Sequence, residues 1–302
     1  MRTCRGLRLL VIAGLCGCQS LEAPPQDDRA SLVIAQTYLA EKNYAMVIKA
    51  LDLFTPDKMS LDDQSLWYWI VGTAHHQLGE HWTAFSEIRQ FAIKQQFRRH
   101  SEQIANLLYD IGEALALRDS NFLILWSDRQ RAKSVLTTLV SYYPINSHLN
   151  DAQYRLGELA YTNGNFEEAR LRFSKISLDS PWITKSLFRV AMCYFRNLEG
   201  PEYDLAEMQR ANNELSDFLN SDIENPRYRQ IANGALFRVQ EMLADKYRNI
   251  SDFYFEIDQP GGGFLYLQKT ADNYPKTSAG KKAKARIKAL RNAANPAQAA
   301  KN

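Results

Sequence analysis

The 302-residue chain is short of residues that break or cross-link a backbone. It has four cysteines, and Cys4, Cys16 and Cys18 all fall in its first eighteen residues. Cys193 is left alone in the body, which excludes a disulfide framework and leaves packing to hold the fold. Fourteen glycines and ten prolines are few for this length, while 45% of the residues are apolar. That balance suits a folded, mostly helical protein and argues against wholesale disorder. The apolar stretch at the N-terminus, Leu9 to Leu15, is seven residues long. A membrane-spanning helix needs about 20. Acidic residues are missing altogether from 276–302, where eight Lys and Arg gather.

At the N-terminus, Arg2, Arg5 and Arg8 precede the short apolar core, the pattern of a secretory signal segment. Its end, Leu15-Cys16-Gly17-Cys18, resembles the lipobox of bacterial lipoproteins, which implies cleavage before Cys18 and lipidation of its thiol. The other reading is a plain signal peptide cut nearby, with Cys18 an ordinary thiol. Two or three acyl chains would anchor the protein stably. Gln19 stands where an aspartate would favour inner-membrane retention, so the lipobox resemblance implies an outer-membrane destination. Without residues 1–17 the chain has 34 basic and 34 acidic residues. Setting aside the basic end as well leaves 26 against 34, an acidic body that speaks against nucleic-acid binding.

What the chain does contain is a repeated spacing. Gly157 is followed by Gly164, Ala169, Phe173 and Pro181 at plus 7, 12, 16 and 24. Gly72 is followed by Gly79, Ala84 and Ile88 on the same ruler, and Ala35, Val47 and Leu51 make a weaker copy. Two further copies are stretched by eight residues: Gly112 leads to Ala132, Leu136, Leu139 and Pro144, and Ala191 to Ala211, Leu215 and Phe218. The excess falls within "LRDSNFLILWSDRQ" and "RNLEGPEYDLAEMQ". Towards the end, helical periodicity predicts one helix over 228–249, another near 250–257, the turn "DQPGGG", a helix holding Leu267, and a capping helix over 278–294.

This ruler resembles the tetratricopeptide repeat, a helix–turn–helix unit in which small residues allow close helix contact. Leu156, Gly157, Gly164, Phe166, Ala169, Phe173, Ile176 and Pro181 match its signature, while Gln153 departs from it. The resemblance implies an all-α, right-handed solenoid of about five units whose stacked neighbours supply a continuous core. The expected organisation is a signal peptide over 1–17, a lipid-anchored linker over 18–30, the solenoid over 31–295 and a disordered tail over 296–302.

Helical periodicity places residues at −3, +1 and +4 from each small residue on another face. It carries Trp69, Tyr109, Tyr154 and Phe188 at −3, and His76, Ala116, Tyr161 and Phe195 at +4. At +1 stand Thr73, Glu113, Glu158 and Met192. In tetratricopeptide arrays this face lines a groove, so Trp69, His76, Tyr109, Glu113, Tyr154, Glu158, Tyr161, Phe188 and Phe195 form the candidate peptide-binding groove. Glu113 and Glu158 would favour a cationic ligand. Alternatively, the rings pack across the superhelix against one another or against the inserts.

Signals for catalysis are weak. "HHQLGEH" brings His75, His76, Glu80 and His81 together without the H-E-x-x-H order, and the turn at Gly79 separates His81 from the first pair. Gly261, Gly262 and Gly263 follow no strand, so a phosphate cradle is not expected. Cys193 reads as a small core hydrophobe. No metal, cofactor or enzymatic activity is expected. The basic end reads either as the solvated face of a capping helix or as a dock for an acidic partner or anionic lipid.

A lipobox before tetratricopeptide units resembles the BamD-like family of outer-membrane assembly lipoproteins. "YYPINSHLNDAQYRLGELAY" is similar to that family's Tyr-Pro-x-x-Ser linker and the helix after it. "ISDFYFEIDQPGGGFLYLQKTADNYPKTSAGKKA" is similar to its last unit, although "DQPGGGF" replaces a tight Gly-x-Tyr turn. The resemblance implies a non-catalytic scaffold on the periplasmic face of the outer membrane. It would contact the barrel-insertion protein, other components of the assembly machine and nascent outer-membrane proteins. A tetratricopeptide lipoprotein coordinating another envelope or cell-wall assembly process is the second reading.

Overall fold

A computed structural model describes residues 28–52, 54, 56–94, 99–117, 125–198 and 204–294. The lipobox, Cys18 and the C-terminal tail lie outside the described residues, as do the middles of both inserts. Among the described residues the regular structure is helical, without strands. The helices are α1 (Asp28–Ala40), α2 (Tyr44–Leu51), α3 (Leu61–Gln77), α4 (His81–Lys94), α5 (Ser101–Leu117), α6 (Leu125–Tyr142), α7 (Leu149–Thr162), α8 (Phe166–Phe173), α9 (Ile183–Arg196), α10 (Leu205–Asn220), α11 (Pro226–Glu256), α12 (Pro260–Asn273) and α13 (Ser278–Ala294). Successive helices pair from α1–α2 to α11–α12, and each pair packs on the first helix of the next. Among the described residues the result is a tetratricopeptide solenoid of six pairs, closed by α13.

The ruler works through contact between the two helices of a pair. A Cβ added at Gly157 would lie 2.6 Å from the Phe173 ring, and one at Gly112 would lie 2.5 Å from Leu136 Cδ2. At Gly72 it would meet Ile88 Cγ2 at 2.6 Å. In each pair, therefore, the large side chain at plus 16, displaced to plus 24 by the insert after Gly112, fills the space a glycine leaves. Ala35 and Ala191 take the same place, both buried. Ala132 and Leu136 are fully buried on α6, so the ruler resumes beyond the insert as its spacing predicts.

The sixth pair corrects the expected pair of helices at 228–249 and 250–257. Pro226–Glu256 is one continuous helix of 31 residues, started by Asn225, whose side chain accepts from the Tyr228 N–H. Nothing near residue 250 interrupts it, because Ile250-Ser251 carries neither glycine nor proline. Ser251 occupies the small position, fully buried, with its hydroxyl donating to the Gly263 carbonyl at 2.7 Å. Gly263 and Leu267 then fall at plus 12 and plus 16, and Pro275 at plus 24. At plus 7, where Gly79 and Gly164 turn at φ 81° and 76°, stands Asp258 at φ 58°. Lys42, seven after Ala35, has the same φ. The left-handed turn is thus kept in four pairs, two of them without the residue that adopts it most readily.

Gly234 provides a contrast, since it sits within α11 with open space where a Cβ would be. Gly157→Ala should destabilise the fold by about 1–3 kcal/mol through overpacking. Gly234→Ala should stabilise it by about 0.5–1 kcal/mol through backbone entropy alone. Urea unfolding of the two variants checks the opposite signs.

Candidate functional site

The first helices of successive pairs are joined by two repeated devices. One is a stack of rings. Trp69 lies parallel to His100 at 6.0 Å, Tyr109 to His148 at 4.2 Å, Tyr154 to Trp182 at 4.3 Å and Phe188 to Tyr228 at 4.5 Å. In every case the second ring stands at or near the start of the next first helix: His148 and Trp182 are the N-caps of α7 and α9. All four −3 aromatics therefore face along the array, each onto the pair that follows. Offset aromatic pairs add about 0.5–1.5 kcal/mol beyond the area they bury.

The second device is ionic. Arg155 approaches Glu113 at 2.6 and 2.7 Å through Nε and Nη2. Arg189 grips Glu158 at 2.7 and 2.9 Å in the same forked manner. Acid at plus 1 in one pair thus meets arginine at minus 2 in the next. Asp252, at plus 1 in the sixth pair, pairs likewise with Arg286 of the closing helix.

These contacts place each expected groove residue. Tyr154 and Phe188 are 7% and 6% exposed, which corrects the expectation of open rings at those positions. They are held by Trp182 and Tyr228, with Phe173 and Phe218 tilted against them. Burial, and next the Glu158 charge, push the Tyr154 phenol up to about 12. Glu113 and Glu158 have their charge met by arginine, so the expected preference for a cationic ligand does not rest on them. Tyr161 is half-buried beneath the Arg189 guanidinium, 4.5 Å from its ring centre. Phe195 packs half-buried against the core of the fifth pair, while Trp69, Tyr109 and His76 keep partial exposure.

His76 belongs to a small cluster across the Gly79 turn. Its Nδ1 lies 3.1 Å from His81 Nδ1, so one ring donates and the other accepts. Beside it His75 Nδ1 meets Glu80 at 2.7 Å. Burial, then the neighbouring His81, lower the His76 pKa, opposed by Asp110. No group of three metal-ligating residues gathers among the described residues. Cys193 is buried, and burial pushes its thiol up to about 12, where it is no nucleophile.

The residues that sequence reasoning missed are the partners: Arg155, Arg189, His148, Trp182 and Tyr228. Arginine at minus 2 in consecutive units was a readable signal. The capping rings were not, since they stand outside the helical period.

Comparison with known proteins adds a family. The family described as YfiO, outer membrane lipoprotein, matches residues 124–302, more than half of the chain. No curated protein matches. Among solved structures, PilW, a widely conserved type IV pilus biogenesis factor, aligns at 12% identity and TM-score 0.30, covering 85% of this chain and 98% of its own. The C-terminal part of a TPR repeat-containing protein from Cytophaga hutchinsonii aligns at 13% and 0.33, covering 83% and 98%.

Two outcomes follow from the geometry. Arg189→Gln leaves Glu158 half-buried without its partner and should lower stability by about 1–3 kcal/mol, with the Glu158→Gln/Arg189→Gln pair recovering part of the loss. Urea midpoints of the single and double variants measure the coupling. For His76, a folded pKa below the usual 6.5 means that the unfolded chain binds the proton more readily. Stability should therefore fall as pH drops from about 7 to 5.5, and His76→Gln should flatten that slope. Some slope should persist, since burial also lowers the His100 pKa.

Proposed function

Because the chain belongs to the YfiO family of outer membrane lipoproteins, we propose that it serves as a lipid-anchored, non-catalytic scaffold of the outer-membrane β-barrel assembly machinery. The family match carries this reading, and it spans α6 to α13 and with them most of the solenoid. The lipobox supplies the anchor: Cys18 is acylated and holds the solenoid on the periplasmic face of the outer membrane. No helix among the described residues is long and apolar enough to cross a membrane.

The partners are the barrel-insertion protein, other components of the machine, and nascent outer-membrane proteins. The face of the first helices receives polypeptide at its half-exposed positions, Trp69, His76, Tyr109, Tyr161 and Phe195. Tyr154 and Phe188 lie beneath them and keep successive pairs in register. A scaffold of this kind gains from rigidity, because a preformed surface loses less entropy on binding.

Crosslinking in cells followed by capture of the anchored chain should recover the barrel-insertion protein. Capture of a different envelope assembly apparatus without it would overturn this role in favour of another adaptor function. Metabolic labelling with an alkyne fatty acid should mark the native chain and not Cys18→Ser.

A further inference from the structure

We propose that the outer face of α13 is a second membrane contact, an electrostatic dock for the anionic surface of a bilayer, separate from the acyl anchor. Its inner face is settled by packing: Ala279, Ala283 and Ile287 are buried against α11 and α12. Its outer face carries Lys281, Lys282, Lys284 and Lys288, all exposed, and the helix has no acidic residue. Lys281, Lys284 and Lys288, at i, i+3 and i+7, fall within an arc of about 60° on a ridge about 10 Å long. Lys276 stands exposed just before the helix and Lys282 on its flank. The remaining body of the chain carries more acid than base, so these cations are segregated to one end.

The choice of cation identifies the occupant. The two arginines of this helix, whose planar fork suits specific carboxylate recognition, are exposed but lean back onto the body of the solenoid. Arg286 pairs with Asp252 and covers the Phe255 ring at 4.6 Å, and Arg291 lies over Phe264 at 5.8 Å. The remaining cations of this face are lysines, mobile point charges, with Ala285 and Ala289 between them. Such a ridge has little with which to select a sequence. It matches a diffuse plane of negative charge, to which each lysine near the surface adds attraction. An acidic polypeptide would be expected to meet arginine or aromatic anchors.

The test uses the full chain with Cys18→Ser, so that it is independent of acylation. Cosedimentation is measured with vesicles of phosphatidylethanolamine and phosphatidylglycerol, and with neutral phosphatidylcholine vesicles. Lys281→Gln/Lys284→Gln/Lys288→Gln is compared with Lys49→Gln/Lys58→Gln/Lys175→Gln, which removes the same charge from exposed sites elsewhere. The α13 variant should bind anionic vesicles at least about tenfold more weakly, while the control variant keeps its affinity. Binding should also fall steeply with added salt and be lost on neutral vesicles. Equal loss in both variants, or no loss in either, overturns the proposal. So does an α13 variant that keeps its vesicle affinity but loses a protein crosslink in cells, which would make the occupant an acidic polypeptide. Thermal unfolding of both triple variants should coincide with the parent, because glutamine and lysine have similar helix propensity.

Discussion

The closest approach within each helical pair governs the rest of the structure. At Gly72, Gly112 and Gly157 the first helix faces one large side chain on the second with no room for a Cβ, and Ala35, Ala191 and Ser251 stand buried at the same place in the other pairs. Interiors are packed like crystals, so a contact this tight fixes both rotation and height of the two helices. Once rotation is fixed, the residues three before and one after the small position must point along the array. The ring stack and the ionic clasp between pairs are therefore consequences of the glycine.

That dependence accounts for the chain's tolerance of uneven spacing. From one small position to the next the chain runs 34 residues at the shortest, between Gly157 and Ala191, and 60 at the longest, between Ala191 and Ser251. The contacts that join pairs lie on the helices and at their first residues, so connecting loops can lengthen without disturbing them. Longer loops also carry only a slowly rising entropy of closure. The two inserts and the N-terminal extension of α11 are absorbed in this way, and Phe188 still meets Tyr228 across the longest gap.

Much of this was legible in the sequence because a glycine costs a helix about 1 kcal/mol, so its recurrence there marks a close contact. Gly72, Gly112 and Gly157 announced three pairs, and the partner at plus 16, or at plus 24 beyond the insert, stands where each meets the second helix. The small position of the sixth pair stayed hidden for a physical reason. A buried serine satisfies its hydroxyl on the Gly263 carbonyl and thereby passes for a small apolar residue. Asp258 and Lys42 accept a left-handed turn that sequence reasoning assigns to glycine. Orientation of the −3 rings was legible only in part, for periodicity tells which side of a helix a ring occupies and not what covers it. Tyr154 looked free for a ligand until Trp182, an N-cap, closed over it.

The cations of the surface serve two ends. Arg155 and Arg189 bridge one pair to the next and Arg286 bridges the sixth pair to the closing helix, each against an acid that is partly buried. Charges withdrawn from water in this way are screened little by salt, and a forked hydrogen bond persists where a point charge would be hydrated away. Lysines along α13 stand in full solvent, where a Debye length of about 8 Å at physiological ionic strength weakens every interaction beyond contact. Ionic strength should thus act on what the solenoid touches far more than on the solenoid itself. For a protein held at a membrane surface, that separation lets docking be adjusted while the scaffold keeps its shape.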